Sequence, residues 1–461
     1  MKESVRIAAA QGFYGDSPMA AMQVVSEGAA DYLVSDALAE LTLSILQKDR
    51  LRDENMGYAR DIEFLAKTLY PAALAQGMKI VTNSGGLNPL GAVKKVSAIL
   101  EKQGITDVKI AAITGDNMID RLEELQNGGE KLLHLDSQVP YSDSKYPATH
   151  ANVYTGAASV KDALDQGAQI ILAGRVADPC LTLGILAHEF NWEIENATSE
   201  QLDLLATGIC VGHLLECGGQ ASGGNSYAQW PMDYPIDALG YPIAQVFPDG
   251  KAIFSKLDSA GGLLSRDSLR EQLIYEIHDP ENYLTPDVTV DLSKVKLETL
   301  AKNKVQLSGV KGKPRPEKLK LSMGQNEGFI SEQFFYFSRP YTYDKVTKFI
   351  DAVKKIWERS PVQIEKQNIS IVGLNGIHGE AATEKSREEL NEYNELGVRL
   401  AIKHSDAMTG KMAFAAITCL GLNGPPGITS MPAWGKINRI QLSLWPTLID
   451  RKWVDYEIHF N

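Results

Sequence analysis

The chain has 461 residues, 44% of them hydrophobic, which supports two or three domains with sizeable cores and no need of disulfide staples. Its 46 Lys and Arg against 58 Asp and Glu give a formal charge of -12, which repels polyphosphate at long range and removes any general electrostatic drive toward nucleic acid. Cys180, Cys210, Cys217 and Cys419 show no CxxC spacing and fit a reducing cytoplasm, and no stretch reaches the roughly 18 uninterrupted apolar residues that a membrane helix needs.

The opening MKESVRIAAAQGFYGD reads as a first strand rather than a signal peptide, because its apolar run is short and gives way at once to Gly and Asp. VRIAAA, DYLVSD, KIVTNS, KIAAIT and QIILAG then have the aliphatic texture of buried parallel strands. Among them SPMAAMQVVSEG, LAELTLSILQK, IEFLAKTLYPAALAQ, PLGAVKKVSAILEKQ and SVKDALDQG place apolar residues three or four apart, as helices do. Parallel strands need crossovers, so this alternation predicts an α/β fold over about the first half, with a mostly parallel sheet and flanking helices. Residues 128–150 lack periodicity and read as a long surface excursion that could lie as a lid over a site.

After Asn225 the texture becomes α+β. YPIAQVFPDGKAIFSK predicts a hairpin, REQLIYEIHD a helix, and DVTVDLSKVKL, KVQLSGVKG and KLKLSM predict strands exposed on one face. KGKPRPEKLK is most simply a solvated turn, and its positive charge is a weak pointer to an anion site. From Tyr341 a helix, the strand ISIVGLNG, the segment VRLAIKH, an apolar helix near AMTGKMAFAAITCLGL and the terminal strands of INRIQLSLWPTLIDRKWVDYEIHF follow. The expected division is residues 1–225, 226–340 and 341–461.

Candidate chemistry collects where strands end. KIVTNSGGLNP carries Asn83, Gly85, Gly86 and Asn88 into the start of a helix, ITGDNM carries Asp116 and Asn117, and ILAGRVADPC carries Arg175 and Asp178. Open parallel sheets bind ligands at their carboxyl edge, so these three junctions are expected to converge on one cleft. Each also has a purely structural reading: Gly supplies positive φ, Asn and Asp cap helices, and Arg175 pairs with Asp178 across one turn. No nucleotide fingerprint is present.

GHLLECGGQASGGN, residues 212–225, puts His213 and Cys217 four residues apart on one helix face with Glu216 beside them. Cys217 is then a nucleophile assisted by an imidazolium, or His213 a general acid or base oriented by a carboxylate. A zinc site would have to draw further ligands from His150, His188 or Asp178. Gly218, Gly219, Gly223, Gly224 and Asn225 suit close approach of backbone to a ligand; the blander reading is that Cys217 is a buried small residue and Gly218 ends the helix. His378 and Glu380 in LNGIHGE are more simply structural.

Taken together, YLVSDALAELT, IVTNSGGLNP, ITGDNM, ILAGRVADP, GHLLECGGQASGGN, GYPIAQVFPDG, QLIYEIHDPENYLTPDV and VKGKPRPEKLK, in this order over about residues 5 to 322, resemble the acyclic terpene utilisation A family, AtuA. A weaker match continues around VRLAIKHSDAM and LNGPPGITS. The resemblance implies a soluble catabolic protein, in some bacteria encoded beside biotin-dependent acyl-CoA carboxylases for branched terpenoid acids. The chain departs from the family pattern at the second strand end, with Asp36 and Leu41 where a glutamate and an LAER-T form are usual, which argues against a charged-ligand role for that edge. On the resemblance, the extra ferredoxin-like tail of longer relatives is not expected here, an expectation that argues against a carboxylase-like multidomain role.

The expectation is a cytoplasmic homo-oligomeric enzyme, lyase of the hydratase type or hydrolase, acting on a small branched carboxylate or acyl-CoA thioester. Asn83, Gly85, Gly86 and Arg175 would hold the carboxylate or carbonyl oxygen, His213 or Asp178 would move the proton, and Cys217 would be nucleophile or pocket wall. No separate cofactor and no metal is expected, CoA entering only as part of the substrate. The alternative is a non-catalytic protein that binds acyl-CoA or assembles with carboxylase subunits.

Overall fold

The computed structural model describes residues 2–431 and 438–461. In chain order the first part forms β1 (Val5–Gln11), α1 (Met19–Ser26), β2 (Tyr32–Ser35), α2 (Glu40–Arg50), α3 (Ile62–Ala75), β3 (Lys79–Thr82), α4 (Pro89–Glu101), β4 (Ile110–Thr114), α5 (Leu122–Asn127), β5 (Ala148–Val153), α6 (Ala158–Asp165), β6 (Ile170–Ala173), α7 (Asp178–Phe190), α8 (Ser199–Glu216), β7 (Ile243–Val246) and β8 (Ala252–Ser255). The five aliphatic runs read from the sequence are β1, β2, β3, β4 and β6, and they pair in parallel in the order β1-β2-β3-β6-β4.

Alternate residues on each strand feed different layers, as the two-residue period of a strand requires. Val5, Ile7 and Ala9 with Tyr32, Val34 and Val81 meet the apolar residues of α6, α7 and α8. Ala8, Leu33, Ile80 and Leu172 meet those of α1, α3 and α4 on the other side. A sheet covered on both faces explains why its strands read as nearly continuous apolar runs. The architecture is α/β, as the alternation predicts, but the sheet is mixed rather than mostly parallel, because antiparallel strands join both edges of the five parallel ones.

The chain divides into two compact units, residues 1–324 with 444–461, and residues 325–443. The boundaries expected at 225 and 340 do not coincide with this division. The β7–β8 hairpin pairs antiparallel with the free edge of β1, the hairpin of Lys296–Ala301 and Lys304–Ser308 extends it, and the terminal strand Glu457–Phe460 pairs with β4. Ten strands thus form one sheet from distant parts of the chain. The excursion of residues 128–150 is not a lid. Leu132 is buried, its carbonyl accepts from Trp445 Nε1 at 3.0 Å, and Leu135 N donates to Pro446 O at 2.9 Å, so the segment is docked on residues 445 and 446 of the strand Asn438–Asp450.

In the second unit, the helices Thr342–Arg359 and Ala407–Ala416 alternate with strands that run within Lys318–Ser338, then Lys366–Val372, Glu395–His404 and Ile428–Met431. Their all-antiparallel order, 366–372, 395–404, 318–338, 428–431, is that of a split βαβ plait of ferredoxin-like topology. The sequence reading does not expect it, because helical period and strand alternation say nothing about strand order. Val346, Phe349, Val353 and Trp357 form the buried stripe of its first helix against Phe335, Phe337, Val398 and Leu400. Ile437, the first residue of the expected terminal strands, lies outside the described residues.

Candidate functional site

The carboxyl edge of the parallel strands gathers Asp36 after β2, Asn83 after β3, and Arg175 after β6, while the start of α7 brings Asp178 and the end of α8 brings His213, Glu216 and Cys217. The two helices can come this close because of small residues where they cross. A Cβ on Gly212 would lie 2.4 Å from Pro179 O, and one on Gly208 would lie 2.7 Å from Leu183 Cδ1. Thr198 and Gln201 cap the start of α8 reciprocally, and Gly218 at φ +52° ends it, a backbone conformation that favours glycine. A Cβ on Gly12, which follows β1, would lie 2.8 Å from Cys217 C and 3.0 Å from Gly218 N, so the bare glycine lets the helix end close against the sheet edge.

Asn83 organises the centre. Its Oδ1 accepts from Ala37 N at 2.7 Å, which orients the amide, and Nδ2 then donates to Asp36 Oδ1 at 2.6 Å and reaches Asp178 Oδ1 at 3.5 Å. Arg175, 1% exposed, donates to Asp178 at 2.6 and 3.2 Å and to Leu38 O at 2.6 Å. Its guanidinium also stacks on the Tyr154 ring at 4.1 Å. Two carboxyls therefore share one amide, and only Asp178 has the direct guanidinium partner. Burial, then the nearby Asp178 charge, hold Asp36 well above the usual carboxylate range.

His213 Nδ1 stands 2.7 Å from Glu216 Oε1, with the Tyr283 ring centroid 5.5 Å from the imidazole. Burial, the largest single influence, lowers the His213 pKa, but the charge and hydrogen bond of Glu216 together with Gln272 and Glu276 outweigh it and the net shift is upward. Glu216 is itself pushed up, by burial first and by the neighbouring Asp178 and Glu276, against the lowering effect of His213. Its Oε2 is buried and has no hydrogen-bond partner among the described residues. Cys217 is pushed up to about 12, chiefly by burial and then by Glu216, so the thiol stays protonated near neutral pH.

Beside this centre, Tyr154 donates to Glu40 Oε1 at 2.5 Å and Lys320 Nζ donates to the same oxygen at 2.7 Å, with Lys320 also 4.8 Å from the Tyr154 ring. Burial opposes ionisation of Glu40, but Lys320 and Tyr154 prevail and bring it down to about 2. A cationic and aromatic wall thus joins the acidic cluster.

Of the residues singled out in the sequence, Asn83, Arg175, Asp178, His213, Glu216 and Cys217 come together. The rest of that set has local work. Gly85 packs against Ala173 O, Gly86 adopts φ +55° beneath Leu46, and Asn88 caps α4 through Gly91 N while bonding carbonyls of residues 54–56. Asp116 is buried and accepts from Arg175 N and Asn152 Nδ2, and Asn117 is exposed and accepts from Ile119 N. The bare faces of Gly218 and Gly219 receive the Tyr241 ring, Gly223 receives the Tyr234 hydroxyl, Gly224 lies against Gly219 O, and Asn225 turns at φ +55°. These glycines admit residues 234–241 of the chain itself.

His150 is engaged with Ser44 Oγ at 2.9 Å and His188 with Asp165 at 2.5 Å; among the described residues no group of three or more His, Cys, Asp or Glu is arranged to hold a metal ion. His378 and Glu380 are exposed on a turn of the second unit. Sequence reasoning discounted the second strand end, yet it supplies Asp36, and α2 supplies Glu40. Both follow the same strand-to-helix pattern as the other junctions, a signal that could have found them. Tyr154 and Lys320 have no local signature, since only β5 and a strand 166 residues later bring them to the edge.

An α/β protein with titratable groups at the carboxyl edge of its sheet is the class that fold and site define. The family model for the acyclic terpene utilisation family protein AtuA matches residues 5–460, so the chain belongs to that family. No curated protein and no solved structure matches it. No helix among the described residues is long and apolar enough to cross a membrane.

Proposed function

We propose that the protein is an enzyme of proton transfer, adding water to or removing it from a small branched carboxylate or its acyl-CoA thioester. The observation that supports this reading is the Asp36–Asn83–Asp178 arrangement, in which one amide bridges a carboxyl held toward its neutral form and a carboxylate fixed by a buried guanidinium. A buried carboxyl held above its usual range keeps a proton to deliver, which suits Asp36 to an acid role. In the hydration direction Glu216, made a stronger base than an ordinary carboxylate by burial and oriented by His213, takes a proton from water as the water oxygen bonds to the β-carbon. Asp36 delivers a proton to the α-carbon, and exchange of one proton with solvent at each group resets the pair. The raised Cys217 thiol favours this route over attack by a thiolate and leaves Cys217 as pocket wall.

The test is turnover of a panel of branched enoyl-CoA and 3-hydroxyacyl-CoA thioesters, followed by the absorbance of the conjugated thioester. Asp36→Asn and Glu216→Gln should each lower kcat by about 10²- to 10⁴-fold, the usual contribution of a positioned acid or base, while Cys217→Ser retains it. Wild-type turnover by both carboxyl variants would remove the proposal.

A further inference from the structure

A second polar cavity, of about 210 Å3, opens in the first unit between the start of α6 and the terminal segment of the chain. Its walls include Arg315, Arg451, Glu195, Asp287, Gly156 and Tyr456. Arg315 is presented between Pro314 and Pro316 in the basic run KGKPRPEKLK, and its Nη2 donates to Glu195 at 2.7 Å. Arg451 is held differently. Its Nε donates to Pro316 O at 2.8 Å and its Nη2 to Pro286 O, and among the described residues it has no carboxylate within ion-pairing distance. Two backbone carbonyls thus fix the guanidinium plane and leave its charge without a contact partner. Asp287 spends one oxygen on Ala157 N at 2.8 Å, at the start of α6, and hydrogen-bonds the Cys180 thiol.

We propose that this cavity binds one compact oxyanion, a carboxylate or phosphate group, between Arg315 and Arg451. Preoriented guanidinium groups match the geometry of such anions, and an anion between two like charges relieves their repulsion. The carboxylates of the cavity are already engaged elsewhere: Glu195 accepts from Arg315, and Asp287 accepts from Ala157 N and the Cys180 thiol, so neither is in salt-bridge contact with Arg451. Like-charge proximity to Arg315, after burial, also lowers Arg451, the strain that a bound anion would remove. The volume is below the roughly 300 Å3 at which pockets for whole drug-sized ligands begin, so it suits a single anionic group with its waters. The site is independent of the acid–base chemistry proposed for the Asp36 centre.

Thermal unfolding of the whole chain at constant ionic strength, with phosphate, glycerol phosphate or acetate replacing chloride, tests the proposal. A bound anion raises the apparent Tm in a saturable way, and the more effective of the three identifies phosphate, a phosphomonoester or a carboxylate as the preferred form. Arg315→Gln, which gives up only the Glu195 pair, should weaken that anion at least tenfold, and Arg451→Lys, which keeps charge but loses the planar fork, should weaken it as well. Absence of a saturable shift with every anion to 50 mM, or an unchanged dissociation constant in Arg315→Gln, overturns the assignment.

Discussion

Asp178→Asn separates charge from shape at the Asp36 centre. Arg175 is 1% exposed and would keep Leu38 O and at most one neutral amide oxygen in place of the bidentate carboxylate, with no opposite charge in contact. Removing one partner of a buried ion pair typically costs about 3–5 kcal/mol, because the remaining charge stays buried. Here Asp36 is available to compensate, since the Asp178 charge is, after burial, the main reason Asp36 resists ionisation. The expected loss is therefore near the low end, about 3 kcal/mol, or a factor of about 150 in the local opening equilibrium. Native-state hydrogen exchange of the β3 and β6 amides reads it directly. Asp36→Asn alone removes no direct partner of Arg175 and should cost less than about 1.5 kcal/mol, as for a typical hydrogen bond. The double variant removes the compensating carboxyl, so its loss should exceed the sum of the singles by at least about 1 kcal/mol. Additivity, or a loss below about 1 kcal/mol in Asp178→Asn, would refute the coupling.

The remaining expectations concern neighbouring groups. Burial lowers His150 to about 4 from an ordinary 6.5, so its contribution is present above pH 6.5 and is lost as pH falls toward 4. That window holds about 3 kcal/mol, which should appear as a steeper acid loss of stability in the wild type than in His150→Gln by urea unfolding at stepped pH. The Cys217 thiol, pushed up to about 12, should react with iodoacetamide more slowly at pH 8 than free cysteine, and fast labelling would contradict its burial. Its stabilising effect is present below about pH 9 and fades as the pH rises toward 12. Gly212→Ala places a methyl 2.4 Å from Pro179 O and should cost about 1–3 kcal/mol, with loss of protection at the α7–α8 crossing in hydrogen exchange.

Much of the site is legible because strand-to-helix junctions change abruptly from aliphatic residues to Asn, Arg and Asp. Asn83, Arg175 and Asp178 are visible in this way, and His213 and Glu216 follow from helical spacing. The glycine pairs of GGQASGGN are equally visible but mislead, since the partners that need those bare faces, Tyr234 and Tyr241, lie beyond any local pattern. A glycine shows that something approaches closely and does not show whether it is a ligand or the chain.

The sequence by itself determined the α/β class, the five parallel strands and the helix that carries His213 and Glu216, because periodicity and capping are local properties. Only the tertiary structure decided strand order, the return of residues 444–461 to the first unit and the plait of residues 325–443. It alone brought Asp36 beside Asp178 and set Arg451 against Arg315. Those juxtapositions depend on pairing and burial between residues far apart in the chain, and the charge state of a carboxyl follows from what surrounds it.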